Sequence, residues 1–238
     1  MAANPLGGKM SKILAIIDGD GMVHRAEWKR TFHDSKLKVD EIMDEILCNT
    51  FADDYKLAIK GDNNFRKDLC PDYKRHRNRS ISLEHRIAAL LQYMVDEYGA
   101  VRAHGWEADD HCHMWHKEAI QGGEVSPVIC SIDKDMYTIT GTHYTIRNKH
   151  FLYVDENEAD YNLHCQLLMG DHSDGIKGIP GIGPKKAKAY LEGVPFGARK
   201  EKVVEAYKDF FQKDWEEALM LTGNLIYIRH DIEIGFEI

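Results

Sequence analysis

The sequence predicts an α/β fold: a mainly parallel, twisted sheet flanked by helices, followed by a helical C-terminal region. Three observations carry this reading. Short apolar runs alternate with segments of helical period as far as about Asp155. Several of those runs end at or beside an acidic residue. Beyond Asp155 the pattern is helical, interrupted by a turn rich in Gly and Pro at Gly178–Pro184.

Taken in order, Lys12–Asp18 (KILAIID) is an apolar run that ends in Asp-Gly, the pattern of a buried strand with an acid at its C-terminal end. Val39, Ile42, Met43, Ile46 and Leu47 recur with a period near 3.6 and predict a helix over Val39–Phe51. Lys56–Lys60 reads as a second strand, running into Gly-Asp at Asp62. Arg66–Ser80 is basic and turn-rich, without apolar periodicity, which predicts a surface excursion. Ser82 is placed to cap a helix running to about Tyr98. Val101–Trp106 predicts a strand, Glu107–Ile120 a helix broken by Gly122 and Gly123, and Pro127–Ile132 a strand leading to Asp133. Short strands are predicted at His143–Ile146 and Phe151–Val154, then helices from Glu156 apart from the Gly/Pro turn and a tail at Asn224–Ile228. Ligands bind beyond the carboxyl ends of parallel strands, and Asp18, Asp62, the Glu107 cluster and Asp133 all fall there.

The bulk numbers narrow the classes. A chain of 238 residues can bury a sizeable core. No apolar run reaches the length of a membrane span and no secretory signal is present, so a cytoplasmic protein without a membrane partner is expected. Residues 1–11 read as a flexible leader or expression remnant. Five cysteines at wide spacing, with no CxxC, argue for reduced thiols rather than disulfides or a zinc knuckle. The net charge of −8 hides two basic patches. Arg66–Arg86 has seven Lys/Arg against three Asp/Glu, and Lys177–Lys188 has four lysines and no acid. Overall acidity therefore does not exclude a nucleic-acid partner.

The acids form the chemical signal. Asp18, Asp62, Glu107, Asp109, Asp110, Asp133, Asp135, Asp171 and Asp174 are the candidate metal ligands, with Asp110 the weakest because it can act through water alone. Hard divalent cations such as Mg²⁺ or Mn²⁺ want oxygen ligands, and a dense carboxylate set needs cations to stay ionised. Two such ions clamp an in-line phosphoryl displacement. Each acid alone is better read as a turn former or helix cap; the set on one sheet edge favours the metal. His111, His113 and His116 around Cys112 lack zinc spacing and read as a solvated helix face.

Gly181–Ala187 (GIGPKKA) is a sharp turn into a helix N-terminus. Gly181 and Gly183 let the backbone approach a phosphate, and Lys177, Lys185, Lys186 and Lys188 supply charge without reading bases. Such a turn can also hold a monovalent cation. In the excursion, Tyr73 is placed to stack a base and Lys74 or a nearby arginine to neutralise a phosphate. Arg25, Arg66, Arg75, Arg77 and Arg79 are candidate phosphate contacts, Arg25 close to the chemistry.

IDGD at Asp18, GDNNFR at Asp62, EADD at Glu107–Asp110, SIDKD at Ser131–Asp135 and GDHSDGIKGIPGIGPKKA at Gly170–Ala187 resemble, in order, the 5′-nuclease superfamily, and more closely its bacteriophage and bacterial 5′→3′ exonuclease and flap endonuclease branch. The resemblance implies a PIN-like nuclease domain over 12–155 with a basic arch at about 66–86. It implies a C-terminal region over 156–238 with a helix–three-turn–helix at about 160–192. It implies two Mg²⁺ or Mn²⁺ ions, one served by Asp18, Asp62, Glu107 and Asp109, the other by Asp133, Asp135, Asp171 and Asp174. Lys74 and Tyr73 match the catalytic lysine and stacking tyrosine, and K⁺ is implied in the Gly178–Gly183 turn. The expected action, as a monomer, is on DNA with 5′ ends, flaps or nicks, extending to the RNA strand of RNA–DNA hybrids. It leaves 5′-phosphate and 3′-hydroxyl ends. The stretch after Lys74 is short for an arch, and no polymerase domain is expected. A non-catalytic DNA-binding scaffold would have lost several of the acids, and a PIN-type ribonuclease would not need the Gly-rich duplex grip.

Overall fold

The computed structural model describes residues 11–26, 31–75, 80–231 and 233–238. Arg77 and Arg79, and all but the last residue of the leader 1–11, lie outside the described residues.

β1 (Lys12–Asp18) has Ala15 and Ile17 in one core and Leu14 and Ile16 in another, so its apolar residues are buried on both faces. α1 (Gly19–Ala26) follows without a loop. α2 (Phe32–Thr50) starts earlier than the apolar period implies, because Thr31 caps it by accepting from Asp34 N (3.0 Å). β2 (Asp54–Lys60) leads into a short α3 (Phe65–Leu69), so the excursion is partly helical. α4 (Ile81–Tyr98) is capped by Ser80, which accepts from Leu83 N (3.3 Å); Ser82 lies inside the first turn. β3 (Val101–Ala103), α5 (Ala108–Gly122) and β4 (Val125–Ser131) match the predicted order, β3 being shorter than expected. β5 (Gly141–Thr145) and β6 (His150–Val154) complete the sheet.

The sheet order is β3-β2-β1-β4-β5-β6, with every pairing parallel except β5 with β6. The chain leaves β1 toward β2 and β3, then returns to the other side of β1 as β4. That reversal creates a crevice beyond the ends of β1 and β4. α1, α2 and α4 cover one face through Met22, Ile42, Met43, Leu90 and Met94. α5 covers the other through Cys112 and Trp115.

The rest of the chain is mainly helical: α6 (Glu156–Met169), α7 (Pro184–Leu191), α8 (Arg199–Phe211) and α9 (Trp215–Ile226). Leu167, Leu168, Ala187, Leu191, Val203, Tyr207 and Leu219 form their own core. Between α6 and α7 lies a hairpin that the periodicity did not reveal, β7 (Gly170–Asp171) paired antiparallel with β8 (Ile176–Lys177). Gly170 has φ +69°, and a Cβ there would strike Gly178 N; a Cβ at Gly178 would strike Gly170 N. Two glycines are therefore needed where the backbones cross. α9 extends to Ile226, into the stretch expected to be non-helical. No helix among the described residues is long and apolar enough to cross a membrane.

Candidate metal centre and nucleic-acid interface

The crevice beyond β1 and β4 is a cleft of about 390 Å³. Eight carboxylates line it: Asp18, Asp20, Glu107, Asp109, Asp133, Asp135, Asp171 and Asp174. Each is brought there by a local device. Asp18 ends β1 and accepts from Ser131 Oγ (2.7 Å), whose oxygen in turn accepts from Asp133 N (2.9 Å). One serine at the end of β4 thus couples two acids. Asp20 begins α1; its N–H donates to Asp18 Oδ1 (3.2 Å) and its Oδ1 accepts from Lys60 N (2.9 Å), which closes the end of β2. Glu107 caps α5 and Asp109 lies in its first turn. Asp135 accepts from Gln166 Nε2 (2.6 Å), and Asp171 from Ser173 N (2.7 Å) and Oγ (2.6 Å).

Crowding, burial and neighbouring cations shift five of them. Burial, with Asp20 beside it, pushes the Asp18 carboxyl up to about 7. Burial, with Asp133, Asp171 and Asp174 nearby, pushes Asp135 up to about 7. Burial raises Asp20 and, with Asp110 and Glu107 beside it, Asp109 as well. Glu107 goes the other way: burial opposes its ionisation, but Lys74 and Arg66 hold it below the usual carboxylate range. Lys74 bridges the two halves of the chain. Its ammonium pairs with Glu107 and with Asp174 Oδ2 (3.3 Å), and its backbone N–H, at φ +55°, donates to Asp174 O (2.8 Å).

An all-oxygen donor set of this density suits a hard divalent cation and gives no purchase to a soft one. The raised carboxyls fit the same reading, since a cation would restore their ionised forms. Among the described residues no three His, Cys, Asp or Glu side chains close on a single point tightly enough to hold an ion as they stand. Lys74 places a positive charge between Glu107 and Asp174.

Five expectations need correction. Asp62 is exposed and outside the cleft; the acid that reaches the end of β2 from the cleft side is Asp20. Arg66 is not a phosphate contact, and Asp110 is not a ligand. They are 1 % and 0 % exposed and form a bidentate ion pair at 2.6 and 2.9 Å. A buried arginine must be paired, and Asp110, one helical turn from Glu107, meets it in forked geometry, with Glu107 Oε2 farther off at 3.6 Å. Tyr73 cannot stack a base, because its ring is buried and its hydroxyl donates to Glu107 Oε2 (2.6 Å). Arg25 does not line the cleft, and its Nη1 donates to Ile146 O (2.9 Å), beyond the end of β5. Arg75 is exposed and pairs with Asp72 (2.9 Å).

Sequence reasoning missed Asp20, Ser131 and Gln166. Asp20 stood in the IDGD motif, two residues from Asp18, and a strand running straight into a helix brings both to one edge. Gln166 carried no signal, because only the packing of α6 against the loop after β4 gives it Asp135 as a partner. On the C-terminal side, Lys177, Gly181, Gly183, Lys185, Lys186 and Lys188 are all exposed, around the turn and first residues of α7. Pro184 opens that helix, where its missing N–H costs nothing.

The comparisons with known proteins agree with this architecture. The "5'-3' exonuclease" of Mycoplasmopsis pulmonis is 26% identical over 205 residues, covering 78% of this chain and 67% of that protein. A "Flap endonuclease Xni" of Shewanella sediminis is 26% identical over 201 residues, covering 74% of each. Among solved structures, the T5 D15 protein co-crystallised with metal ions superposes with a TM-score of 0.66 at 15% identity, covering 89% of this chain and all of that one. The T5 5′-exonuclease with bound divalent zinc ions gives 0.67 at 17% identity, with 91% of each chain covered; at such identities the likeness is one of fold. The family described as "5'-3' exonuclease, N-terminal resolvase-like domain" matches residues 13–163. The chain belongs to that 5′-3′ exonuclease family, within the 5′-nuclease superfamily.

Proposed function

We propose that the protein is a divalent-metal-dependent 5′→3′ exonuclease and 5′-flap endonuclease that hydrolyses DNA phosphodiesters, leaving 5′-phosphate and 3′-hydroxyl ends. The observation that carries the reading is the convergence of eight carboxylates, from both halves of the chain, on one cleft at the sheet reversal. Asp18, Asp20, Glu107 and Asp109 would hold one ion, and Asp133, Asp135, Asp171 and Asp174 a second, with Mg²⁺ or Mn²⁺ suited to the oxygen donors. Bound there, such cations activate water and stabilise the leaving oxygen.

The chain's own groups do the rest. Exposed Lys185, Lys186 and Lys188 at the start of α7, with Lys177, hold duplex phosphates independently of sequence. Lys74, between Glu107 and Asp174, would offer its ammonium charge to the scissile phosphate. Tyr73 keeps the Glu107 carboxylate oriented by donating its hydroxyl proton. Exposed Arg75 places positive charge just after α3, in the stretch of about 66–86 proposed as the arch where the 5′ end would pass. The Gly178–Gly183 turn, beside the duplex grip, is the site for K⁺. Residues 12–155 act as the nuclease domain and 156–238 as the duplex-binding region, in a monomer that also accepts RNA–DNA hybrids.

The test is an assay on a 5′-flap, a nicked duplex, an RNA–DNA hybrid and single-stranded RNA, with Mg²⁺, with Mn²⁺ and with chelator. Cation-dependent cutting of the flap and nick is expected. Cleavage of single-stranded RNA alone would favour a ribonuclease, and tight flap binding without cutting would favour a non-catalytic scaffold.

A further inference from the structure

The Asp110 carboxylate accepts four hydrogen bonds. They come from Arg66 Nη1 (2.6 Å) and Nη2 (2.9 Å), Glu107 N (3.0 Å) and Arg229 N (2.7 Å). Arg66 directs its other donors at carbonyls where α9 ends: Nε to Leu225 O (2.9 Å) and Nη2 also to Tyr227 O (2.9 Å). Three segments remote in sequence thus meet on one buried ion pair: the start of α3, the start of α5 and the end of α9. Glu107 belongs to this knot through its backbone and through its carboxylate, which lies in the cleft with Oε2 3.6 Å from Arg66 Nη1. α9 reaches the acids on the other side. Thr222 Oγ1 donates to Lys177 O (2.9 Å) on β8, which pairs with the strand carrying Asp171, and Leu225 and Ile226 pack with Ile176 and Tyr73.

A buried ion pair is a poor stabiliser compared with apolar side chains of similar volume. What it supplies, and apolar packing cannot, is direction, because each of its bonds fixes an atom of a particular segment. We infer that the Arg66–Asp110 pair is a positioning device for cleavage, setting Glu107 and Asp109 at a fixed distance from Asp171 and Asp174. The inference rests on the nuclease reading and deepens it by assigning the spacing of the two acid groups to residues that touch no substrate.

The full chain is compared with a double variant, Arg66→Met with Asp110→Leu, and with Arg66→Lys, which keeps the charge but not the forked geometry. Thermal unfolding reports the fold. Single-turnover cutting of a nicked duplex with Mn²⁺ separates the rate from the duplex Kd, and calorimetric Mn²⁺ titration reads metal affinity without any cleavage. The double variant leaves Glu107 N, Arg229 N and the Leu225 and Tyr227 carbonyls without these partners, so it is expected to fold with a lowered unfolding temperature. Its cutting rate and Mn²⁺ affinity are both expected to fall roughly 10- to 100-fold, with the duplex Kd unchanged within about threefold. Arg66→Lys is expected to show the same split, and it decides the matter if the double variant does not fold. A variant that keeps wild-type rate and Mn²⁺ affinity would overturn the inference, as would a loss confined to the duplex Kd. A wild-type chain that leaves the nick uncut would sink the nuclease reading instead, and the Mn²⁺ titration would still decide the role of the pair.

Discussion

The two groups of acids reach one cleft by different means. Asp18, Asp20, Glu107 and Asp109 stand at a strand end and at helix starts, where the paired sheet and two cores lock the backbone. Asp171 and Asp174 ride on a hairpin with two residues in each strand, too short to stand alone. It is held by the crossing of Gly170 and Gly178 and by α9. The first group inherits its geometry from the fold, whereas the second depends on a few named contacts. The site should therefore loosen from the hairpin side first, and the contrast can be tested directly.

The largest effect is expected at the acids themselves. Asp174→Asn or Asp133→Asn should reduce cutting by about 100-fold or more, beyond what losing an outer partner of a metal ligand costs, while duplex binding measured in Ca²⁺ stays largely intact. Full Mg²⁺-dependent activity in either variant would refute that residue's assignment. Next comes the hairpin. Gly170 combines φ +69° with ψ −168°, a region closed to other residues. Gly170→Ala should cost about 1–3 kcal/mol or more and cut the rate, whereas a mild cavity in the sheet core, such as Ile42→Val, should lower stability with little change in rate. Equal rate losses for equal stability losses would erase the contrast.

Metal and pH give a third measurement. The folded-state pKa of Asp18 and of Asp135 is raised to about 7, from 3.8. Their contribution to stability is full below pH 3.8 and is lost as pH rises through about 7. A bound cation removes the penalty on the ionised forms. The rise in unfolding temperature on adding Mn²⁺ should therefore be larger at pH 8 than at pH 6. A rise that shrinks toward pH 8 would contradict this. Burial also pushes His113 and His116 down to about 4, but that effect is shared by the metal-free and metal-loaded protein and cancels in the difference.

The smaller effects lie outside the cleft. Lys185→Ala with Lys186→Ala should weaken duplex binding and reduce the salt slope by about 2, with the rate at saturating enzyme nearly unchanged. An unaltered salt slope would remove the duplex grip from α7. Asp62→Asn should change the rate by less than about threefold, against a far larger loss for Asp20→Asn; the reverse ranking would restore Asp62 to the metal centre.

Much of this molecule is readable from its residues. The strand over Lys12–Asp18, the helix starting at Glu107 and the strand leading to Asp133 follow from local periodicity and from acids at strand ends, which are short-range properties. Ser131, Gln166 and the Arg66–Asp110 pair escaped because their meaning lies in partners up to 161 residues apart. Arg66 shows the difficulty well: in a basic stretch it looks like any surface cation, and only the carbonyls at the end of α9 give it a reason to be buried.

By itself, then, the sequence determined the alternation of strands and helices, the acids and the lysine-headed turn, because period, turn chemistry and charge are local. Tertiary structure alone decided which acid lines the cleft, Asp20 rather than Asp62. It also turned Tyr73 and Arg66 inward and joined the two acid groups through α9. Those outcomes depend on which backbone groups are left unpaired when remote segments pack, and no local pattern encodes that.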